Sequence, residues 1–304
     1  MNCYSIDEDM VKSFLPARKH NSHKGIYGHV LNIAGSDEYR GAACLSSLGA
    51  YKAGCGMVTL AACKNVINTC SIYNPMIIYL PLMDSNNFFS KFYNLNKIVK
   101  LINNYNVICL GCGVGTNRSS IYLVKNLLKA LETSHIPVVI DADALNIIAL
   151  EKINILPENA IITPHPKELS RLLNKSVEDI QKNRVQSAIE ASRKYKCITV
   201  LKGENTVISN KLGEEIFINT SGNSALSKAG SGDVLSGMLS GFIAQIVNDF
   251  QNIDSINEKL IEAAIISVYL HGKAAEEAAA DLTEYSAMQN DIINSIGYQI
   301  KKLI

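Results

Sequence analysis

The chain has 304 residues, a formal net charge of +1, 47% hydrophobic and 19% charged residues, and no tryptophan. That length and apolar share support a sizeable core and exclude global disorder. A near-zero charge without a basic tract excludes the electrostatic footprint of a nucleic-acid binder, and sparse aromatics weaken a base-stacking role.

Residues 1–12 carry Asp7, Glu8 and Asp9 and no apolar h-region, so no signal peptide is expected. No window reaches about 18 uncharged apolar residues, so no membrane span is expected and the cytoplasm is the expected compartment. A short capping helix is expected within the first 14 residues. Residues 30–34 form an apolar run that ends in Gly35 and Ser36, a buried strand and its turn. Residues 41–53, rich in Ala, Leu and Ser, read as a helix. Apolar runs at 57–62, 76–80, 107–110, 137–140, 161–162 and 198–201 read as strands, and residues 121–131 and 176–195 have helical spacing. Between 206 and 218 the pattern becomes that of an antiparallel hairpin at a sheet edge, turning at 210–213. Helices are expected over 233–247 and 258–280, with a polar loop over 248–257. Strands alternating with helices predict one α/β domain over 1–304, with a mostly parallel sheet covered on both faces.

Ligands of open parallel sheets sit beyond the carboxyl ends of the strands. Polar and glycine residues follow each expected strand: Gly35, Ser36 and Asp37, then Gly111, Gly113 and Gly115, then Asp141, Asp143 and Asn146, then Thr163, His165 and Glu168, then Lys202 to Thr206. The sharpest motif is Ala229-Gly230-Ser231-Gly232-Asp233, which opens a helix. Glycines let the backbone approach an anion, and the helix start offers unpaired N–H groups and partial positive charge. Asp233 there reads either as an N-cap or as a base that takes a proton from a hydroxyl attacking a phosphate; the surrounding constellation favours the base. His165, between two prolines, reads as a fixed ligand-edge imidazole or as a turn histidine bonded to backbone. Asp141 and Asp143 either hold magnesium indirectly or cap the following helix. His23, Lys24 and His29 are candidates for an entry loop. Cys109 and Cys112 have CxxC spacing, but lack the further ligands of a zinc site and the polar setting of a redox motif. Residues 111–115 read GxGxG, short of the dinucleotide fingerprint, and no P-loop, HExxH or GxSxG is present.

Together these motifs resemble the NAD(P)H-hydrate dehydratases of the ribokinase-like fold. The resemblance rests on Ser22-His23-Lys24-Gly25, Tyr27-Gly28-His29-Val30, Ile33-Ala34-Gly35-Ser36, Gly111 to Gly115 and Asp141-Ala142-Asp143-Ala144-Leu145-Asn146. It continues in Thr163-Pro164-His165-Pro166 with Glu168, in Lys202-Gly203, in Gly222-Asn223 and in Ala229 to Asp233. It implies a three-layer α/β/α sandwich and a nucleotide-dependent dehydration of the S epimer of hydrated NADH or NADPH, by way of a phosphorylated hydroxyl; the alternatives are a small-molecule (vitamin-precursor) kinase of the same fold and a non-catalytic nucleotide-binding protein built on it. By the same resemblance Asp233 is the base, and Gly230 and Gly232 form the anion hole. Ala42, Gly113, Gly115, His165 and Asp233 contact the hydrate. Lys202, Gly203, Glu204, Asn205, Thr206 and Gly232 hold ADP or ATP, accompanied by magnesium with unassigned ligands. It further implies that epimerisation comes from another protein or occurs spontaneously, since the epimerase domain that often precedes this one is not seen, and it implies a homo-oligomer, a tetramer. Lys228 and Cys112 depart from the family pattern; Lys228 either pairs with a phosphate or points to solvent.

Overall fold

Apolar runs with side chains buried on both faces build a sheet in the centre of the chain's fold. The computed structural model describes residues 1–83, 88–248 and 256–304. Its strands are β1 (Asn2–Ser5), β2 (His29–Ile33), β3 (Met57–Cys63), β4 (Ile78–Leu82), β5 (Val107–Leu110), β6 (Val138–Ile140), β7 (Ala160–Ile162), β8 (Ile198–Leu201), β9 (Thr206–Ser209) and β10 (Glu215–Asn219). They lie in the order β1-β10-β9-β8-β7-β6-β5-β2-β3-β4, and only β9 runs antiparallel to its neighbours. Alternation along each strand sends side chains to two separate cores. On β5, Val107 and Cys109 join one, and Ile108 and Leu110 join the other.

The first core is covered by α1 (Glu8–Phe14), α2 (Arg40–Ala53), α3 (Lys64–Tyr73), α10 (Ser231–Asn248), α11 (Ile256–Leu282) and α12 (Gln289–Leu303). The second lies under α4 (Phe88–Leu101), α5 (Arg118–Leu131), α6 (Asp143–Leu150), α7 (Pro166–Leu173), α8 (Val177–Lys182) and α9 (Arg184–Tyr195). The expected three-layer sandwich with a mostly parallel sheet is the one observed.

Several expectations need correction. The hairpin β9–β10 is not at the edge, because β1 adds in parallel outside it; the first residues thus form a strand as well as helix α1. The edge run at 76–80 pairs from Ile78 to Leu82, and tolerates Pro81 because an edge strand leaves one side unpaired. The single helix expected over 176–195 divides at Asn183, which leaves helical geometry (φ −129°, ψ 49°) and both ends α8 and starts α9. That break lets Arg184 turn its guanidinium onto the carbonyls of Leu201 and Lys202, at 3.0 and 3.2 Å. Of the loop expected over 248–257, residues 249–255 lie outside the described residues, while Asn248 belongs to α10 and residues 256 and 257 to α11.

Helices α2 and α10 touch backbone to backbone, which fixes the start of α10 against the sheet. A Cβ on Gly237 would lie 2.0 Å from the Ser46 carbonyl oxygen, and one on Gly241 2.5 Å from that of Ala50. Gly237→Ala should therefore force the helices apart and cost about 1–3 kcal/mol by overpacking, read as a lowered melting temperature. Gly297→Ala, at a position with open space around it, should not show this loss.

Candidate functional site

Two glycine turns and the start of α10 meet at the carboxyl edge of the central strands. The turn after β5 needs glycine because Gly111, Gly113 and Gly115 all have positive φ (124°, 64° and 73°). A Cβ on Gly113 would sit 2.6 Å from Cβ of Tyr39 and 2.8 Å from that of Ala42, so Gly113 and Ala42 are brought together. The Gly115 N–H donates to Asp143 Oδ2 at 2.9 Å. Across the site, Gly230 (φ 92°) turns the chain into α10, and its carbonyl accepts the Val234 N–H at 3.1 Å. Asp233 is thus the third residue of α10 and not its N-cap. The 18-residue helix points its N-terminal N–H groups at the edge where Asp233 stands.

Beneath this turn lies a buried ion pair. Lys202 Nζ, at the end of β8, donates to Asp141 Oδ1, at the end of β6, at 2.5 Å, and Ser236 Oγ of α10 donates to Asp141 Oδ2 at 2.6 Å. A Cβ on Gly232 would be 3.2 Å from Lys202 Nζ and 3.6 Å from Asp141 Oδ2, so Gly232 rests directly on the pair. Glu168 adds a second carboxylate 3.9 Å from Lys202. Burial pulls the Lys202 ammonium toward neutrality, but the two carboxylates outweigh it and hold its affinity for a proton above the ordinary value. Burial pushes Asp233 up to about 6, reinforced by the negative charge of Asp141 and opposed by the Cys112 thiol and Lys202; Asp143 adds a further push upward. Glu168 rises to about 7, chiefly through burial, against the pull of Lys202.

His165 caps α7. Its Nδ1 accepts the Lys167 and Glu168 N–H groups at 3.1 and 3.2 Å, while Glu168 Oε2 accepts the His165 N–H at 2.8 Å, a reciprocal capping box. Its Nε2 lies 3.3 Å from Glu168 Oε1, and burial, with the Lys202 charge, lowers its pKa. The histidine is thus bonded to backbone, and its side chain also stays 45% exposed at the ligand edge.

Neither acid of the Asp141-Ala142-Asp143 segment caps α6. Its N-cap is Ala142, with φ 50°, and both carboxylates are spent on Lys202, Ser236, Gly115 and Asn146. Among the described residues no cluster of three or more His, Cys, Asp or Glu is placed to hold a metal ion. The Lys228 Nζ donates to the carbonyls of Glu284, at 2.9 Å, and Ala287. That tie fastens the glycine turn to the connection between α11 and α12. His23, Lys24 and His29 do not reach the site. His29 begins β2 at its amino end and bonds Thr59 Oγ1, and the 23–28 turn packs on the far end of α10 through Asn248 and Ala244. Gly203, Glu204 and Asn205 form the exposed turn from β8 to β9, where Asn205 has φ 52° and Thr206 Oγ1 bonds the Gly203 carbonyl. Cys109 and Cys112 are buried free thiols.

Arg184 and Ser236 escaped the sequence reading. Arg184 looks like one residue of a continuous helix, and nothing local marks the break before it. Ser236 lies one turn after Gly232, on the face toward Asp141, and that spacing is the only signal that could have found it.

The family model described as NAD(P)H-hydrate dehydratase matches residues 30–297. The bifunctional NAD(P)H-hydrate repair enzyme of Moorella thermoacetica is 32% identical over 294 residues, which cover 96% of this chain and 53% of that protein. The chain thus spans about half the length of this relative. The ADP-dependent (S)-NAD(P)H-hydrate dehydratase of Bacillus subtilis is 33% identical over 276 residues, 91% of this chain and 90% of that protein. Among solved structures, the Bacillus subtilis ADP/ATP-dependent NAD(P)H-hydrate dehydratase co-crystallised with ATP and magnesium superposes with a TM-score of 0.82 at 30% identity, covering both chains in full. A ribokinase-like superfamily protein of Enterococcus faecalis also gives 0.82, at 24% identity over 99% of this chain and 96% of its own, and shows the shared fold.

Lys202→Met should leave Asp141 buried without its counter-charge. The expected loss is about 3–5 kcal/mol, as for breaking other buried pairs, read from the midpoint of urea unfolding at neutral pH. A loss under about 1 kcal/mol, the range of exposed pairs, would show that the pair is not the brace described.

Proposed function

The chain belongs to the NAD(P)H-hydrate dehydratase family, and on that premise we propose that it dehydrates the S epimer of hydrated NADH or NADPH at the expense of ADP or ATP. The observation that carries this reading is the placing of Asp233 in the first turn of α10, beside a positive-φ glycine turn and above the Lys202–Asp141 pair.

Hydroxide is a poor leaving group, so the hydrate's hydroxyl is first phosphorylated. Asp233, ionised, takes the hydroxyl proton as the oxygen attacks the terminal phosphorus of the nucleotide. The N–H groups around Gly230 and Gly232 face the transferring phosphoryl group and stabilise its charge more in the transition state than before it. Lys202 lends positive potential from below while bonded to Asp141. Departure of phosphate from C6, with loss of a proton from C5 to solvent, then forms the C5=C6 double bond and restores the reduced ring, with AMP or ADP as the other product. Gly203, Glu204, Asn205 and Thr206 lie on the donor side, and Ala42, Gly113, Gly115 and His165 on the hydrate side. Since Asp141 and Asp143 are already bonded within the protein, magnesium fits here as an ion held largely by the nucleotide's phosphates and water, where it neutralises phosphate charge. The reading also includes residues 1–304 as one domain, a cytoplasmic setting, an epimerase as functional partner and assembly into a homotetramer. Exposed Ile72, Tyr73 and Met76 beside edge strand β4 offer apolar surface for such assembly.

Mixing hydrated NADH with the protein, magnesium and either ADP or ATP should restore the absorbance of the reduced nicotinamide ring only when the nucleotide is present, and the active nucleotide names the donor. No recovery with either nucleotide would refute the reading. Asp233→Asn should lower turnover by about 10²–10⁴-fold with nucleotide affinity little changed. Because a base must be ionised and Asp233 titrates at about 6, kcat/KM of the native enzyme should fall as pH drops below that value. Asp141→Asn removes a like charge and frees the Lys202 cation, both of which favour the carboxylate, so this acid limb should move to lower pH.

A further inference from the structure

Beside the base lies a thiol that the mechanism does not use. Cys112 stands in the glycine loop between Gly111 and Gly113, both with positive φ, and is fully buried. Its carbonyl accepts the Gly35 N–H at 2.8 Å, which ties the loop to the end of β2. Gly111 is packed as closely on the side of β6, where an added Cβ would lie 2.0 Å from the Asp141 carbonyl oxygen. Held in this way, the Cys112 side chain joins the core that contains Val234 and Leu235 of α10. Cys109, at the end of β5, donates its Sγ hydrogen to the Ser236 carbonyl of α10 at 3.9 Å. Both thiols of the CxxC pair thus meet the first turns of α10, and the Cys112 thiol bonds the Asp233 carboxyl.

A thiol has one hydrogen, so its destination matters. The other neighbour of Cys112 is the Cys109 sulfur, whose own hydrogen goes to Ser236. An ionised carboxylate is a far better acceptor than a thiol sulfur, so the Cys112 hydrogen goes to Asp233. The bond with Cys109, burial and the negative charges of Asp233 and Asp141 raise the proton affinity of Cys112 well above the ordinary value, so it stays a donor wherever Asp233 titrates. The other charged groups acting on Asp233 are Asp141 at the end of β6, Lys202 at the end of β8 and Asp143 of α6. Each is engaged elsewhere: Asp141 with Lys202 and Ser236, Asp143 with the Gly115 N–H and Asn146. We propose that Cys112 is a positioning residue for the base: its S–H holds one oxygen of the Asp233 carboxylate and leaves the other free for the hydroxyl of the substrate. A bond of this kind restrains rotation of the carboxylate and favours its charged form, the one a base needs.

This inference rests on the dehydratase reading, and the test separates the two. The acid limb of kcat/KM is compared in native protein, Cys112→Ala and Cys112→Ser. Loss of the donor should move the limb of Cys112→Ala to higher pH by about 0.5–1 unit. Cys112→Ser, which keeps a hydroxyl donor, should bring it back to the native position or below. A limb unmoved in Cys112→Ala, or displaced upward alike in both variants, overturns the proposal. A second readout needs no substrate. The infrared S–H stretching band that is present in native protein and lost in Cys112→Ser should step to lower frequency as pH rises through about 6, where Asp233 ionises. That step should vanish in Asp233→Asn, which distinguishes it from the titration of Glu168 at about 7. A band without the step, or a step that survives in Asp233→Asn, likewise overturns the proposal. A step that behaves as expected in a protein that restores no hydrated NADH would refute the dehydratase reading and leave the bond standing.

Discussion

Everything at the ligand edge hangs on the ion pair between Lys202 and Asp141. It joins the ends of two strands, β6 and β8, that are separated in the sheet by β7, and through Ser236 it also grips α10. The pair is largely buried, with Asp141 1% and Lys202 16% exposed, so each charge leans on the other in place of solvent. Gly232 rests on this platform, where an added Cβ would come within 3.2 Å of the ammonium. Burial does most to raise the proton affinity of Asp233, and the field of the same two charges, one raising and one lowering, adjusts it. The pair that positions the base therefore also bears on its proton.

Glycine governs the second constraint, the distance between α2 and α10. Gly49, Gly237 and Gly241 allow main chains to touch, so the start of α10 is held by contacts too short to slide. On the opposite flank Lys228 bonds two carbonyls of the 284–287 segment, and Glu284 in turn takes bonds from the N–H and hydroxyl of Ser224. The anion turn is clamped from both sides, as electrostatic preorganisation requires.

What could be read from the sequence followed from local rules. Apolar runs stopped by glycine or a polar residue located the strands, and a glycine pair ahead of an apolar helical face located the anion turn and Asp233. What was hidden depends on distant partners. Lys202 meets Asp141 across 61 residues and Lys228 meets Glu284 across 56, and no spacing rule connects them. β1 is short and unremarkable in hydropathy, and becomes a strand only because β10 offers it an edge. His165 was legible in its place at the ligand edge but not in its local bonding. The usual cap signal is Ser, Thr, Asp or Asn, so the capping box it forms with Glu168 three residues on was hidden.

The pairing of β1 with β10 also bears on how the chain acquires its shape. The two strands are separated by nearly the whole sheet in sequence, so their union closes a very long loop. Contacts of that range form late in folding. Until β1 arrives, β10 is an apolar strand with an open side, ready to accept a strand from another molecule. Residues 2–5 thus close the side of β10 that would otherwise be the sheet's open edge, and leave the four-residue β1 in its place.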